Sequence, residues 1–340
     1  MKNIIFCGGG TAGHVMPNIA IIEQLKGKAN IHYIGGNGIE KDIIKKYPYI
    51  TYHEISTTKL VRKFTLKNLA IPFKLMGSIC ECKKLIKKIN PAVIFSKGGF
   101  VSVPVVLAHG KTPVLGHESD YSMGLANKII YPHCKTMFFT FSDTKERYNK
   151  KGVYSGTPIR SDIFNGNKQK ILNKFNIKNN HPIVLIVGGS TGATAINDVT
   201  IQNLSVLTKK YNIIHICGKN KQSSIAHQNY YQIDYADNMG DYLAASDIVV
   251  SRAGSNAIFE FLALGKPMIL IPLPLDQSRG DQILNAKYFE KKGWAKVIMQ
   301  ENLNSATLLK QLNSVKKVKA ESVSQNASKI IADEIKKYLK

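Results

Sequence analysis

The sequence predicts an α/β protein of two doubly wound domains, each a parallel sheet covered by helices, facing one another across a cleft. Three observations predict it. Short apolar runs alternate with helix-like stretches along the 340 residues. The run 2–7 (KNIIFC) leads straight into Gly8-Gly9-Gly10. The run 182–187 (PIVLIV) leads into Gly188-Gly189-Ser190-Thr191-Gly192, so the pattern restarts in the second half.

Taken in order, residues 2–7 read as a buried strand, because an unbroken apolar run suits a parallel strand covered on both faces. Residues 17–25 carry helix-like apolar spacing. A second strand at 31–34 ends at Gly35-Gly36, and a third at 92–96 ends at Lys97-Gly98-Gly99. Further strands are expected at 113–116 and 136–140. The segment 155–161 (SGTPIRS), with Gly156 and Pro158, reads as the linker. Strands at 182–187, 212–217, 248–251 and 267–272 build the second half, and the Lys-rich tail after residue 316 reads as closing helices. The expected domains are 1–157, 158–320 and a closing helix at 321–340.

Composition narrows the class. At 44% hydrophobic residues the chain can bury real cores, which excludes wholesale disorder. No apolar run approaches the ~18–20 residues a spanning helix needs. The first apolar run is shorter than the ~7–15 residues of a signal peptide, so the chain is expected to start directly with folded structure. The cysteines (7, 80, 82, 134, 217) are scattered without a C-x-x-C, which argues against a disulfide framework or zinc site and fits a reducing cytoplasm. The net charge of +24 could attract nucleic acid, an anionic membrane or a phosphorylated substrate. Only five of the 47 basic residues are Arg, and no aromatic-rich basic motif of RNA-binding type occurs, which argues against nucleic acid. That scarcity marks Arg160, Arg252 and Arg279 for attention.

A Gly-rich turn between strand and helix lets backbone N–H groups approach a phosphate. Gly8-x-Gly10-x-x-Gly13 formally matches a dinucleotide fingerprint, but the first acid after the second strand is Glu40, beyond Gly35-Gly36-Asn37-Gly38, where an acid at the strand end is wanted. His14, just past the loop, is either a polar helix-end residue or a general base beside an anion site. In the second half, Ser251-Arg252-Ala253-Gly254-Ser255-Asn256 runs from a strand into a helix, with Ser255 or Asn256 as the expected N-cap. Glu260 lies about one turn into that helix. The polar loop 272–282 follows the strand at 267–272, where ligands bind in open α/β sheets.

The motif set resembles the MurG family of peptidoglycan N-acetylglucosaminyltransferases, within glycosyltransferase family 28. The resemblance rests on Gly9-Gly10-Thr11-Ala12-Gly13-His14-Val15-x-Pro17, Lys97-Gly98-Gly99-Phe100-Val101-Ser102, His117-Glu118 with Gly124-Leu125-Ala126-Asn127-Lys128, and Gly156-Thr157-Pro158-Ile159-Arg160. Gly188-Gly189-Ser190-x-Gly192-Ala193, Ser251-Arg252-Ala253-Gly254-x5-Glu260 and Asp281-Gln282-x-x-Asn285-Ala286 complete it. It implies the GT-B fold and transfer of GlcNAc from UDP-GlcNAc, with inversion, to the muramoyl O4 of lipid I, the undecaprenyl-diphospho-MurNAc-pentapeptide.

By resemblance, Arg160 and the backbone near Ala236 hold uracil, and Glu260 holds the ribose. Ser190 and the helix start Ser255, Asn256 and Ala257 hold the diphosphate, and Gln282 meets the GlcNAc hydroxyls. Thr11, Ala12, Gly13 and His14 line the acceptor side. The base is His14 or Glu118. No D-x-D occurs, so no metal or other cofactor is expected. The family usually reads His-Glu-Gln-Asn where this chain reads His117-Glu118-Ser119-Asp120, which puts the sugar contact at Asp120 in doubt. Ala12 stands where the family has Gly, and Asp281 where some members have Gln.

The stretch 59–88 holds nine basic residues against Glu81 alone, interleaved with apolar side chains including Phe73. It reads either as a membrane-surface element or as an ordinary amphipathic helix packed on the sheet. With a polyprenyl-linked acceptor, Lys67, Phe73, Lys74, Lys83, Lys84, Lys87 and Lys88 are expected to face anionic lipid. The implied location is peripheral, on the cytoplasmic face of the bacterial plasma membrane, near other cell-wall synthesis proteins. The remaining alternatives are another GT-B enzyme, such as a glycolipid synthase or UDP-GlcNAc epimerase, and a nucleic-acid binder.

Overall fold

A computed structural model of the chain describes residues 1–57, 71–148, 150–189, 192–318 and 323–340. It divides into two compact units, Met1–Arg160 with Val323–Lys340, and Ser161–Ser322.

The first unit is built on a seven-stranded parallel sheet. Its strands are β1 (Asn3–Cys7), β2 (Asn30–Gly35), β3 (Ile50–Glu54), β4 (Val93–Ser96), β5 (Val114–Glu118), β6 (Thr136–Phe139) and β7 (Gly152–Tyr154). They lie in the order β3-β2-β1-β4-β5-β6-β7. β1 pairs with β2 from Asn3↔Asn30 to Cys7↔Ile34, and on its other side with β4 from Ile4↔Val93 to Cys7↔Ser96. The strand order therefore reverses between β1 and β4, and the loops after those two strands flank a switch-point crevice.

The second unit repeats the plan with six strands: β8 (Ile183–Val187), β9 (Asn212–Ile216), β10 (Tyr230–Ile233), β11 (Ile248–Ser251), β12 (Met268–Leu270) and β13 (Lys296–Val297). Their order is β10-β9-β8-β11-β12-β13, so the reversal falls between β8 and β11. The repeated strand-and-glycine-turn pattern thus corresponds to two central strands with the same neighbours.

The sequence reading does not anticipate β3, β7, β10 and β13. Each is an edge strand. An edge strand leaves one flank and much of its surface to water, so it needs no continuous apolar run; β3 reads ITYHE, with only Ile50 buried.

The expected domain boundaries also shift. Residues 155–157 are tied to the first sheet: Ser155 N and Gly156 N donate to Phe139 O at 3.0 and 3.3 Å, and Thr157 Oγ1 meets Thr140 Oγ1 at 3.1 Å. The first unit therefore runs to Arg160 rather than ending at Thr157. The closing helix, Val323–Lys336, belongs to the first unit and buries Ile331, Ala332 and Ile335 in the same cluster as Ile19 and Ile22 of the helix Ala12–Glu23. Spacings of three and four residues put Ile331 and Ala332 on one stripe with Ile335, which must be covered to be stable.

The helix Ile71–Ile89 covers part of the first sheet with Cys82, Ile86 and Ile89. Its other face carries Lys74, Lys83, Lys84, Lys87 and Lys88, all exposed, beside Phe73 at 80% and Met76 at 61% exposure. The amphipathic-helix reading thus describes the inner stripe, while the outer face combines lysines with large apolar groups. Lys67 lies outside the described residues. Among the described residues, no helix is long and apolar enough to cross a membrane.

Candidate functional site

In the first unit the chain leaves β1 through Gly8-Gly9-Gly10 and enters the helix Ala12–Glu23 with Thr11 as N-cap. Gly10 has φ +84, and a Cβ there would stand 2.6 Å from the Phe100 ring, so only glycine fits. Thr11 makes no side-chain cap. Its Oγ1 instead meets His14 Nδ1 at 3.0 Å, which orients the half-exposed imidazole. On the other side, the ring lies against Gly99, where an added Cβ would be 3.4 Å from Nδ1.

Glu40 settles what this first glycine loop holds. Its side chain is only 1% exposed. Oε2 accepts from Gly10 N at 3.1 Å and Oε1 from Gly36 N at 3.0 Å. A Cβ on Gly9 would sit 2.6 Å from Oε1. The protein's own carboxylate therefore takes the loop amide that a dinucleotide phosphate would need, and a phosphate placed there would face a negative charge. The dinucleotide reading of Gly8-x-Gly10-x-x-Gly13 fails on this contact.

The loop after β4 closes on the first. Lys97 N donates to Cys7 O at 2.9 Å. Gly98 and Gly99 have φ +86 and +81, and a Cβ on Gly98 would stand 2.6 Å from Asn127. Asn127 Nδ2 donates to Glu118 Oε2 at 2.8 Å and to His117 O at 3.1 Å. Contacts thus run from His14 through Gly99 and Gly98 to Asn127 and Glu118.

Glu118 is buried, and its oxygens are already engaged. Oε1 accepts from Asp120 N at 2.9 Å, and Oε2 also accepts from Gly124 N at 3.0 Å. These bonds fold residues 118–124 back onto the start of the helix Leu125–Ile130. His117 is fully buried, and burial holds its pKa well below the usual value. The neutral ring therefore meets Gly156 O, 3.1 Å from Nε2, as donor.

In the second unit the described candidate residues lie on the loop after β10 and on the helices that follow β11 and β12. Ser190 lies outside the described residues. Gly192 has φ +70, and a Cβ there would stand 2.0 Å from Cys217 O, so its backbone presses on the chain just past β9. The N-cap of the helix Ser255–Ala263 is Gly254, not Ser255 or Asn256 as expected. Gly254 carries no side chain and so gives the helix no side-chain cap of its own, and the positive end of the helix dipole at its first turn suits an anion. Glu260, half-buried, follows on this helix.

Asn285 Nδ2 donates to Ala253 O at 3.2 Å and ties this turn to the helix Asp281–Lys291. Gln282 Oε1, on that same helix, accepts from Leu273 N at 3.1 Å and steadies the loop after β12. Ala236 is buried in the loop after β10, and Arg160 is the last residue of its segment of the first unit.

Arg252 is engaged within the protein. Nη1 donates to Ile271 O at 3.1 Å and Pro272 O at 3.3 Å, and Nη2 to Gln300 Oε1 at 2.6 Å. The guanidinium braces the end of β12. Arg279 stands 3.5 Å from Asp281 on an exposed loop.

Sequence reasoning missed three residues of this arrangement as contributors: Glu40, Lys97 and Asn127. The signal for Glu40 was present, since it is the first acid after β2, yet it was weighed only as a ribose ligand.

The comparisons with known proteins agree with this layout. The N-terminal domain model of glycosyltransferase family 28 matches residues 4–139, and the C-terminal domain model matches residues 183–339. A protein of Clostridium tetani is 48% identical, covering 99% of this chain and 98% of its own length. Another, from Lachnoclostridium phytofermentans, is 49% identical over 93% of this chain and 91% of its own. Both bear the name UDP-N-acetylglucosamine–N-acetylmuramyl-(pentapeptide) pyrophosphoryl-undecaprenol N-acetylglucosamine transferase. Among solved structures, Acinetobacter baumannii MurG superposes with a TM-score of 0.76 at 24% identity over 99% of this chain and 100% of its own. A UDP-GlcNAc 2-epimerase from Neisseria meningitidis does so at 0.67 and 14% over 99% and 100%. At these identities the structures speak for the fold alone.

Proposed function

This chain belongs to glycosyltransferase family 28, and from that membership we infer that it transfers N-acetylglucosamine from UDP-GlcNAc to N-acetylmuramyl-(pentapeptide) pyrophosphoryl-undecaprenol. The fold is of the GT-B class, with two Rossmann-like parallel-sheet domains. The full-length identity to the clostridial enzymes carries the reaction. What supports placing the donor in the second unit is Glu40: with the first loop's amide bonded to a buried carboxylate, the diphosphate falls to the glycine turn after β8 and the helix start Ser255–Ala257.

In this reading the muramoyl O4 attacks the anomeric carbon of GlcNAc from the face opposite UDP. The new C1–O4 bond forms as the bond from C1 to the diphosphate oxygen breaks, which inverts the configuration. The departing charge is met by first-turn amides and the helix dipole. The O4 proton goes to His14. In the tautomer whose Nδ1–H donates to Thr11 Oγ1, the opposite ring nitrogen, Nε2, is the basic one. Glu118, whose oxygens accept from Asp120, Gly124 and Asn127, shapes the acceptor loop. Arg160 and Ala236 serve the uracil, Glu260 the ribose hydroxyls, and Gln282 the GlcNAc hydroxyls.

The reaction is taken to need no divalent ion. The deciding experiment is transfer of labelled GlcNAc from UDP-GlcNAc to a lipid I analogue with excess chelator. Undiminished formation of the disaccharide-linked lipid is expected. Failure to transfer with or without metal refutes the reaction, and transfer only when metal is restored refutes the metal-free mechanism.

The outer face of the helix Ile71–Ile89 supports a peripheral seat on the cytoplasmic face of the plasma membrane, where the polyprenyl acceptor resides. At about 1 kcal/mol per basic residue near an anionic surface, changing Lys83, Lys84, Lys87 and Lys88 to Gln should cut binding to phosphatidylglycerol-containing vesicles by about 10²–10³-fold. Sedimentation with such vesicles reads this directly, and binding at full strength would place the contact elsewhere.

A further inference from the structure

The reaction described so far leaves the buried charge of Lys97 without a role. Lys97, directly after β4, is 1% exposed. Its ammonium donates to Ser119 Oγ, on the loop after β5. Burial disfavours that ammonium, and the carboxylates of Glu118 and Asp120 support it, leaving its pKa at about 8 against an ordinary 10.5. Two neighbouring titratable groups, His117 and Cys7, are uncharged. His117, on β5, is buried and neutral, held so first by burial and then by the charge of Lys97. Cys7, whose carbonyl accepts from Lys97 N, is a thiol pushed up to about 11 by burial. His14 packs on the far side of the same loop, against Gly99.

Ser119 and Asp120 are the positions where this chain departs from the family's usual His-Glu-Gln-Asn. Asp120 adds a negative charge beside Glu118, and Lys97 brings a positive charge to the same loop. A lone buried charge is costly and is retained where a partner repays it. Resting on the transferase reading above, we propose that Lys97 is a positioning residue for the acceptor: its ammonium, bonded to Ser119 and facing Glu118 and Asp120, holds residues 118–120 in the geometry that receives the muramoyl sugar.

The sign of the pH dependence follows. The charged form works, so kcat/KM for the lipid I analogue should fall as pH rises through about 8. Asp120→Asn removes one supporting carboxylate, so Lys97 should lose its proton more easily and the fall should move to lower pH. Lys97→Met should lower the plateau by about ten- to a hundredfold, through misplacement of the acceptor, and abolish the alkaline fall, with the KM for UDP-GlcNAc unchanged. The experiment measures kcat/KM from about pH 6 to 9.5 for the wild type and both variants with the lipid I analogue.

A wild type that transfers GlcNAc without an alkaline fall overturns the proposal. So does an Asp120→Asn profile that does not shift, or a Lys97→Met enzyme that keeps the fall. Should Lys97→Met not fold, the wild type and Asp120→Asn still decide the matter. Absence of GlcNAc transfer by the wild type at every pH is the separate failure of the transferase reading.

Discussion

Replacing His14 with Ala should lower kcat by about 10²–10⁴-fold, the range a positioned general base contributes. UDP-GlcNAc binding should stay within about twofold, because the nucleotide is assigned to the second unit and a group acting only in the transition state leaves donor affinity alone. The imidazole is half-exposed and bonded through Nδ1 to Thr11, so its removal costs at most about 1 kcal/mol of stability, and folding does not obscure the result. Thr11→Val, which removes the bond orienting the ring, should give a smaller loss in the same direction. Steady-state kinetics with the lipid I analogue, beside calorimetric titration of UDP-GlcNAc, make the check. A kcat within about threefold of wild type would return the base role to Glu118, despite the hydrogen bonds its oxygens already accept.

The second large effect is expected at Glu40. Glu40→Gln keeps the shape but turns one acceptor into an NH₂ donor, which must face either Gly10 N–H or Gly36 N–H at about 3 Å. A buried donor facing a donor loses a charge-assisted bond and leaves an amide unsatisfied, a cost of about 2–4 kcal/mol. In a unit of this size that corresponds to a fall of ~5–15 °C in the melting transition of the first unit. Activity should fall as well, by about tenfold or more, because Gly10 leads directly into Thr11 and His14 and a shift of ~1 Å there is costly. Differential scanning calorimetry and transfer assays below the transition read the two effects separately. Wild-type melting with wild-type turnover would show that the loop holds its shape without this carboxylate.

The legible parts of the fold are the interior strands. β1 and β8 are buried at almost every residue, and such strands are written as nearly unbroken apolar runs. β3 (ITYHE) and β13 (KV) are written in the same polar vocabulary as loops, because a strand with a neighbour on one side only can leave its residues to water. The reversal of strand order was legible only through the repeat of strand and glycine turn. The site divides in the same way. Gly10, Gly98, Gly99 and Gly192 stand out because backbone at positive φ, or pressed against another chain segment, demands glycine wherever the contact comes from.

What surrounds those glycines was beyond the sequence. Glu40 reaches Gly10 across 30 positions, and Lys97 reaches Ser119 across 22. Arg252, marked only by the scarcity of Arg, donates to the carbonyls of Ile271 and Pro272, 19 and 20 positions away. By itself the sequence determined the two-domain α/β architecture, the family, and the loops on which the chemistry is placed, because periodicity and glycine geometry are local demands that each segment must meet alone. Only the tertiary structure decided which glycine loop is filled by the protein's own carboxylate, which carboxylate is committed to backbone amides, and where a buried ammonium meets the loop after β5. A charged or polar group takes its role from the partners that desolvate and bond it, and those partners arrive from distant parts of the chain.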